Sequence, residues 1–281
     1  MMTRIAKTLL RTLKSSESMY LQRGINSSTS VRKHWGPTDI QPIIAVHGWQ
    51  DNAASFDPLM NYLSEDISVI AIDLPGHGKS SWIPNGFVYN FLLYTQTIER
   101  VRQYYNMDKI GIISHSMGGM ISFNYACNFP KNMKFVVALD YIKCPSWNAI
   151  KYQPQIIKEW QHFFEFEKKI AASPRYKEAD AVKISIDAYG NLLNESTCKI
   201  LLSRGTTKYP DGTISLTRDP RVKCENCDFG EPKELYYDVM KVIENHSTDF
   251  QYHIVPGKHY FHMDNPEAVA EILNPFLAKY H

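Results

Sequence analysis

Five short, unbroken apolar runs constrain this chain most. They lie at 43–46 (Ile-Ile-Ala-Val), 69–72 (Val-Ile-Ala-Ile), 110–113 (Ile-Gly-Ile-Ile), 135–139 (Phe-Val-Val-Ala-Leu) and 252–255 (Tyr-His-Ile-Val). Each stops at a turn-forming or polar group: His47-Gly48, Asp73-Leu74-Pro75-Gly76, Ser114-His115-Ser116, Asp140 and Pro256-Gly257. Runs of this length without polar alternation suit strands buried on both faces, as in a parallel sheet. Between them, apolar residues recur at helical spacing over about 90–105, 118–127 and 266–279. Strand–helix alternation of this kind predicts an open, doubly wound, mostly parallel α/β sheet. Residues 145–221 break the rhythm with charged, aromatic helical patterns, such as 156–170. They are expected to form a helical cap over the carboxyl ends of the strands, where open α/β sheets bind ligands. The core is then 34–144 plus 222–281.

Charge divides the chain unevenly. Residues 1–33 hold seven basic side chains and one acid, whereas the whole chain nets only +2. The body is therefore mildly acidic, which argues against nucleic acid as a partner. The basic, Ser-rich start places Ile5, Leu9, Leu10 and Leu13 at helical spacing, the composition of a mitochondrial transit peptide. A disordered tail on a cytoplasmic or peroxisome-associated protein is the alternative. No apolar run is long enough for an integral membrane helix. Five scattered cysteines form no disulfide framework, consistent with a reducing intracellular compartment. Cys224-x-x-Cys227 lacks further zinc ligands at suitable spacing, so no metal is expected.

The segment Ser114-His115-Ser116-Met117-Gly118-Gly119 follows a strand-like run and opens a helix-like one. A sharp strand-to-helix turn lifts the central side chain clear of the sheet and requires small neighbours two residues away on each side. Gly118 meets that need; Ser114 stands where glycine is usual. Ser116 is the candidate nucleophile. The loop His47-Gly48-Trp49 follows the first run. The main-chain amides of Trp49 and Met117 are candidate oxyanion donors, since negative charge developing on an acyl oxygen needs preorganised N–H groups. His77, in the Gly-rich 73–80 loop, fits a structural turn.

A base must accept the serine proton and return it to the leaving group. His259 follows the last apolar run; His262 is placed behind it. The acid is open. Asp140 ends a strand on the edge where the base arrives and is preferred. Asp228 is next, with Glu225 and Glu231 behind, but almost no apolar run precedes Asp228.

The motifs HGWQDNAASFDPL (47–59), DLPGHGKS (73–80), SHSMGG (114–119) and PGKHYFHMDNPEAV (256–269) resemble the α/β-hydrolase superfamily. RGTTKYPDGTISLTRDPRV (204–222) is more selective and resembles the serine hydrolase-like proteins of animals. The resemblance spans about 34–281. It implies a serine hydrolase acting on a small ester or related acyl substrate through an acyl-enzyme on Ser116. His259 would be the base, and no cofactor would be needed. It also implies a Leu-Asp pair after the strand equivalent to 135–139, in favour of Asp140. The chain departs from that pattern in two places: early strands are replaced by the basic segment, and the apolar strand before 223–232 is missing. The alternative expectation is a catalytically weak or inactive ligand-binding protein on the same scaffold.

Overall fold

The computed structural model describes residues 32–141, 149–169, 173–224, 245 and 247–280. The main sheet contains β1 (Arg32–Trp35), β2 (Ile43–Val46), β3 (Val69–Ile72), β4 (Ile110–His115) and β5 (Met133–Leu139) in the spatial order β1-β3-β2-β4-β5. β1 runs antiparallel to β3 and the remaining pairs are parallel. β1 thus begins within the last residues of the basic segment, where no strand was expected.

The apolar runs become strands because both of their faces are covered. Ile44, Val46, Ile70, Ile72 and Ile112 point to one face. There they pack against Tyr94, Ile98 and Val101 of α1 (Phe91–Tyr104) and Ile121 and Tyr125 of α2 (Met117–Asn128). Ile43, Ala45, Val69, Ala71 and Ile113 alternate to the other face. They meet Phe56, Leu59 and the α-helix Pro266–Leu277 through Val269, Leu273 and Leu277. Each fully buried aliphatic side chain contributes about 1.5–3 kcal/mol, which fixes strand register against slippage. Asn90 caps α1 by accepting from the Leu93 amide at 2.9 Å.

The cap is more mixed than its sequence suggested. It holds α3 (Ala149–Lys169), α4 (Glu178–Ala188) and α5 (Glu195–Gly205). It also holds a small antiparallel sheet of β6 (Arg175–Tyr176), β7 (Thr206–Lys208) and β8 (Ile214–Leu216), ordered β6-β8-β7. Those strands are too short and polar to show as apolar runs. The helix at Pro266–Leu277 is α6. The 204–222 segment carries polar latches between cap and core. Arg204, buried at the end of α5, sets Nε 2.9 Å from Asp73 Oδ2. Asp219 accepts from the Tyr89 hydroxyl at 2.8 Å and pairs with Arg221 Nη2 at 2.7 Å. Arg221 also donates to the Pro84 carbonyl at 2.9 Å.

One strand expectation fails. Residues 251–255 form no regular structure, and Ile254 is 83% exposed. A strand needs a ladder partner for its N–H and C=O groups. Between β5 and this segment lies an open slot of about 1070 Å³, lined by Val137, Leu139, Phe250, Tyr252, Ile254 and Phe276 among others. The chain lacks an apolar run before residue 223 to supply a strand there. Among the described residues no strand pairs with this segment.

Candidate active site

Ser116 stands between β4 and α2 with φ +51° and ψ −122°, a backbone state that L-residues avoid. Such strain costs on the order of 1–3 kcal/mol and persists only where surrounding packing imposes it. The imposing contacts are identifiable. A Cβ on Gly118 would lie 2.2 Å from the Val46 carbonyl oxygen, so only glycine lets α2 approach β2 this closely. The Ser116 amide donates to the Leu139 carbonyl at 3.1 Å, tying the turn to the end of β5. Ser114, in place of the usual glycine, is buried and donates its hydroxyl to the Val137 carbonyl at 2.9 Å. The serine thus gains a hydrogen bond at a position where glycine is usual.

Met117 is the first residue of α2, so its amide has no acceptor within the helix. The His47-Gly48-Trp49 loop packs directly on the turn: a Cβ on Gly48 would lie 3.3 Å from Ser116 Cβ. The Trp49 indole is engaged elsewhere, donating to the Val222 carbonyl at 2.9 Å. His47 is a loop tie: its Nδ1 donates to the Gly48 carbonyl at 2.7 Å, and its Nε2 accepts from the Leu74 amide at 3.0 Å. Burial, the largest cause, lowers its pKa, in keeping with that neutral form.

His259 Nδ1 is hydrogen-bonded to Asp140 Oδ2. The two residues are 119 positions apart in sequence. Asp140 follows β5 in a left-handed conformation, φ +73°, which Asp and Asn tolerate better than other side chains. Asp228, Glu225, Glu231 and Cys227 lie outside the described residues. His77 is buried, with Nδ1 3.1 Å from the Pro75 carbonyl; desolvation first, and His47 second, hold its pKa well below the usual value. His262 is fully buried against His115, with ring centroids 4.2 Å apart. Burial and the neighbouring His115 and His259 likewise lower its pKa strongly.

Sequence reasoning assigned no part to Asp51, His115 or Tyr260, although all three lie inside quoted motifs. Asp51 and His115 side chains are fully buried, and the Tyr260 hydroxyl donates to Asp51 Oδ1 at 2.9 Å. Their signal was a charged group two residues beyond a Gly-Trp turn; only the packed structure shows that it is enclosed. Of the cap aromatics, Phe163 is buried, Trp160 and Phe164 are exposed, and Trp147 lies outside the described residues. No group of three or more His, Cys, Asp or Glu among the described residues could hold a metal ion. No helix among them is long and apolar enough to cross a membrane.

A strained serine at a strand-to-helix turn, on a mostly parallel sheet flanked by helices, is the arrangement of the α/β-hydrolase fold. A family model described as alpha/beta hydrolase fold matches residues 41–172. A crystal structure of a hypothetical protein from Pseudomonas aeruginosa superposes with a TM-score of 0.78 at 23% identity, over 94% of this chain and 100% of that one. The thioesterase domain from the curacin biosynthetic pathway superposes at 0.71 with 19% identity, over 91% and 97%. Among curated proteins, a Drosophila melanogaster protein named "Probable serine hydrolase" is 30% identical over 87% of this chain and 83% of its own. The mouse "Serine hydrolase-like protein" is 29% identical over 87% and 91%. The chain belongs to this family of serine hydrolase-like proteins, and so to a family of hydrolases.

Proposed function

We propose that the protein is a serine hydrolase cleaving a carboxylic ester or related small acyl substrate through an acyl-enzyme on Ser116. The observation that supports this reading is the pairing of the His259 imidazole with Asp140, which directly follows the strand to whose last carbonyl the strained Ser116 amide is bonded. His259 takes the Ser116 proton as Oγ attacks the acyl carbonyl, and Asp140 stabilises the imidazolium that forms. The Met117 and Trp49 amides receive the oxyanion. The proton then passes to the leaving alcohol, and water repeats the sequence to release the acid. No cofactor takes part in this scheme.

A fluorophosphonate probe tests it. Wild-type protein should label, and Ser116→Ala should abolish labelling; folded wild type that stays unlabelled overturns the proposal. The unpaired 251–255 segment leading to His259 favours the rival reading, an inactive ligand-binding protein, and that second outcome would support it. Chromogenic esters of increasing acyl length then define the pocket. The basic residues 1–33 are proposed to direct the chain to mitochondria. A fusion of residues 1–36 to a fluorescent reporter should co-localise with that organelle, and diffuse cytosolic fluorescence would remove the idea.

A further inference from the structure

His259 has an anchoring problem. Its loop arrives along 251–255, which contributes no strand ladder. The stiffness that a paired strand gives a following residue must come from elsewhere.

One buried contact supplies it. His115 Nε2 lies 2.9 Å from the main-chain carbonyl oxygen of His259. A carbonyl only accepts, so Nε2 carries the hydrogen. The other ring nitrogen, Nδ1, faces Asp51 Oδ2 at 3.5 Å, and both side chains are fully enclosed. The two atoms are close buried neighbours with no hydrogen bond between them. The second carboxylate oxygen, Oδ1, is occupied by the Tyr260 hydroxyl. Rings pack around the same point: His115 lies 4.7 Å from His259, 5.0 Å from Tyr260 and 4.2 Å from His262, centroid to centroid. These contacts bring Tyr260, Asp51, His115 and the His259 carbonyl together from three segments of the chain. Asp51 belongs to the loop that carries Trp49, His115 directly precedes Ser116, and Tyr260 directly follows His259.

We propose that His115, packed beside the buried carboxylate of Asp51, is the positioning residue of the base, gripping the His259 main chain where residues 251–255 give no strand ladder. The proposal rests on the serine hydrolase reading and deepens it. His115 does not touch substrate. Its removal lets the imidazole wander while leaving Ser116 and the acyl pocket intact. Misplacement of a reacting group by about 1 Å can cost about 100-fold in rate.

Two polar replacements separate this role from mere packing. In His115→Gln the side-chain amide reaches as far as Nε2 and can still donate to the His259 carbonyl. In His115→Asn the amide stops at the position of Nδ1 and cannot. Fluorophosphonate labelling rates, with kcat and KM on a chromogenic ester, are read on protein shown to be folded by near-UV circular dichroism. The expected result is a fall of about 10- to 100-fold in labelling rate and kcat for Asn, with KM within about twofold, and recovery to within about threefold of wild type for Gln. Equal activity in the two variants, or an Asn variant within twofold of wild type, overturns the proposal. If neither His115 variant folds, Tyr260→Phe decides. Loss of the bond to Asp51 should lower kcat several-fold with KM unchanged, and an unaltered kcat overturns the proposal. Wild type that never labels would instead sink the underlying serine hydrolase reading, so the two failures are distinguishable.

Discussion

Asp140→Asn isolates the carboxylate opposite His259. The residue sits at φ +73°, and asparagine adopts that conformation as readily as aspartate, so the backbone cost of the change is small. In the proposed mechanism, what it removes is the negative charge facing the imidazolium that forms when Ser116 loses its proton. Opposite charges about 4 Å apart attract by about 1 kcal/mol in water and about 4 kcal/mol at an effective dielectric constant near 20. The pair is neither bare nor enclosed: the His259 side chain is 24% exposed and that of Asp140 43%. An intermediate value of about 2–3 kcal/mol corresponds to a fall of about 30- to 150-fold in kcat. Fully buried triads lose about 10⁴-fold on the equivalent change, so exposure is what makes this effect smaller. The assay is ester turnover alongside the fluorophosphonate labelling rate, with folding checked by near-UV circular dichroism. Asp140→Ala is the poorer variant, since alanine in a left-handed conformation adds about 1–2 kcal/mol of strain. Turnover by folded Asp140→Asn within twofold of wild type would refute the reasoning and pass the role to another acid, with Asp228 first in line.

Three further predictions concern stability. Arg204→Met leaves the buried Asp73 carboxylate without its cation and should cost about 3–5 kcal/mol, seen as a lowered urea midpoint; a midpoint shift worth under 1 kcal/mol would show the latch to be idle. Gly118→Ala drives a methyl to within 2.2 Å of the Val46 carbonyl oxygen and should destabilise by 3 kcal/mol or more, on the order of the largest single-site effects; wild-type stability would mean α2 can withdraw from β2 freely. His77 and His262 are buried with pKa values held well below 6.5, so the unfolded chain takes up protons that the folded chain refuses. Their contribution to stability is complete above the unfolded value and is lost as pH falls below about 6.5, at a limiting rate of about 1.4 kcal/mol per pH unit for each histidine. Urea midpoints that stay level from pH 7 to 5.5 would contradict this.

The sequence made the sheet readable wherever both faces of a strand were to be buried. The runs at 43–46, 69–72, 110–113 and 135–139 all became strands, because nothing else satisfies a short apolar segment bounded by turns. The run at 252–255 did not, since strand formation is a property of a pair and no strand among the described residues pairs with it. β1 escaped notice for the opposite reason. Arg-Lys-His-Trp looks polar, yet it pairs at the edge with β3, where its side chains remain half-exposed and Lys33 reaches Asp57 at 2.6 Å. The serine turn was legible because its geometry demands small residues at fixed offsets. Asp51 and His115 were not, because a buried polar cluster is assembled from three distant segments and leaves no periodic trace.

That asymmetry bears on how this site holds together. The Ser116 turn and the Asp140 turn stand on β4 and β5, which are paired to each other along five consecutive register positions, from Gly111 with Phe135 to the His115–Leu139 pair. The proposed base, His259, follows a segment, 251–255, with no such support among the described residues. Precision at His259 therefore depends on side-chain bonds: Asp140 on the imidazole and His115 on the main chain. Side-chain tethers of this kind contribute about 0.5–3 kcal/mol each, depending on charge. A β-ladder shares its strain over many bonds, whereas here two contacts bear it. Loss of either should therefore act mainly on the rate of proton transfer, while the sheet that carries Ser116 keeps its stability.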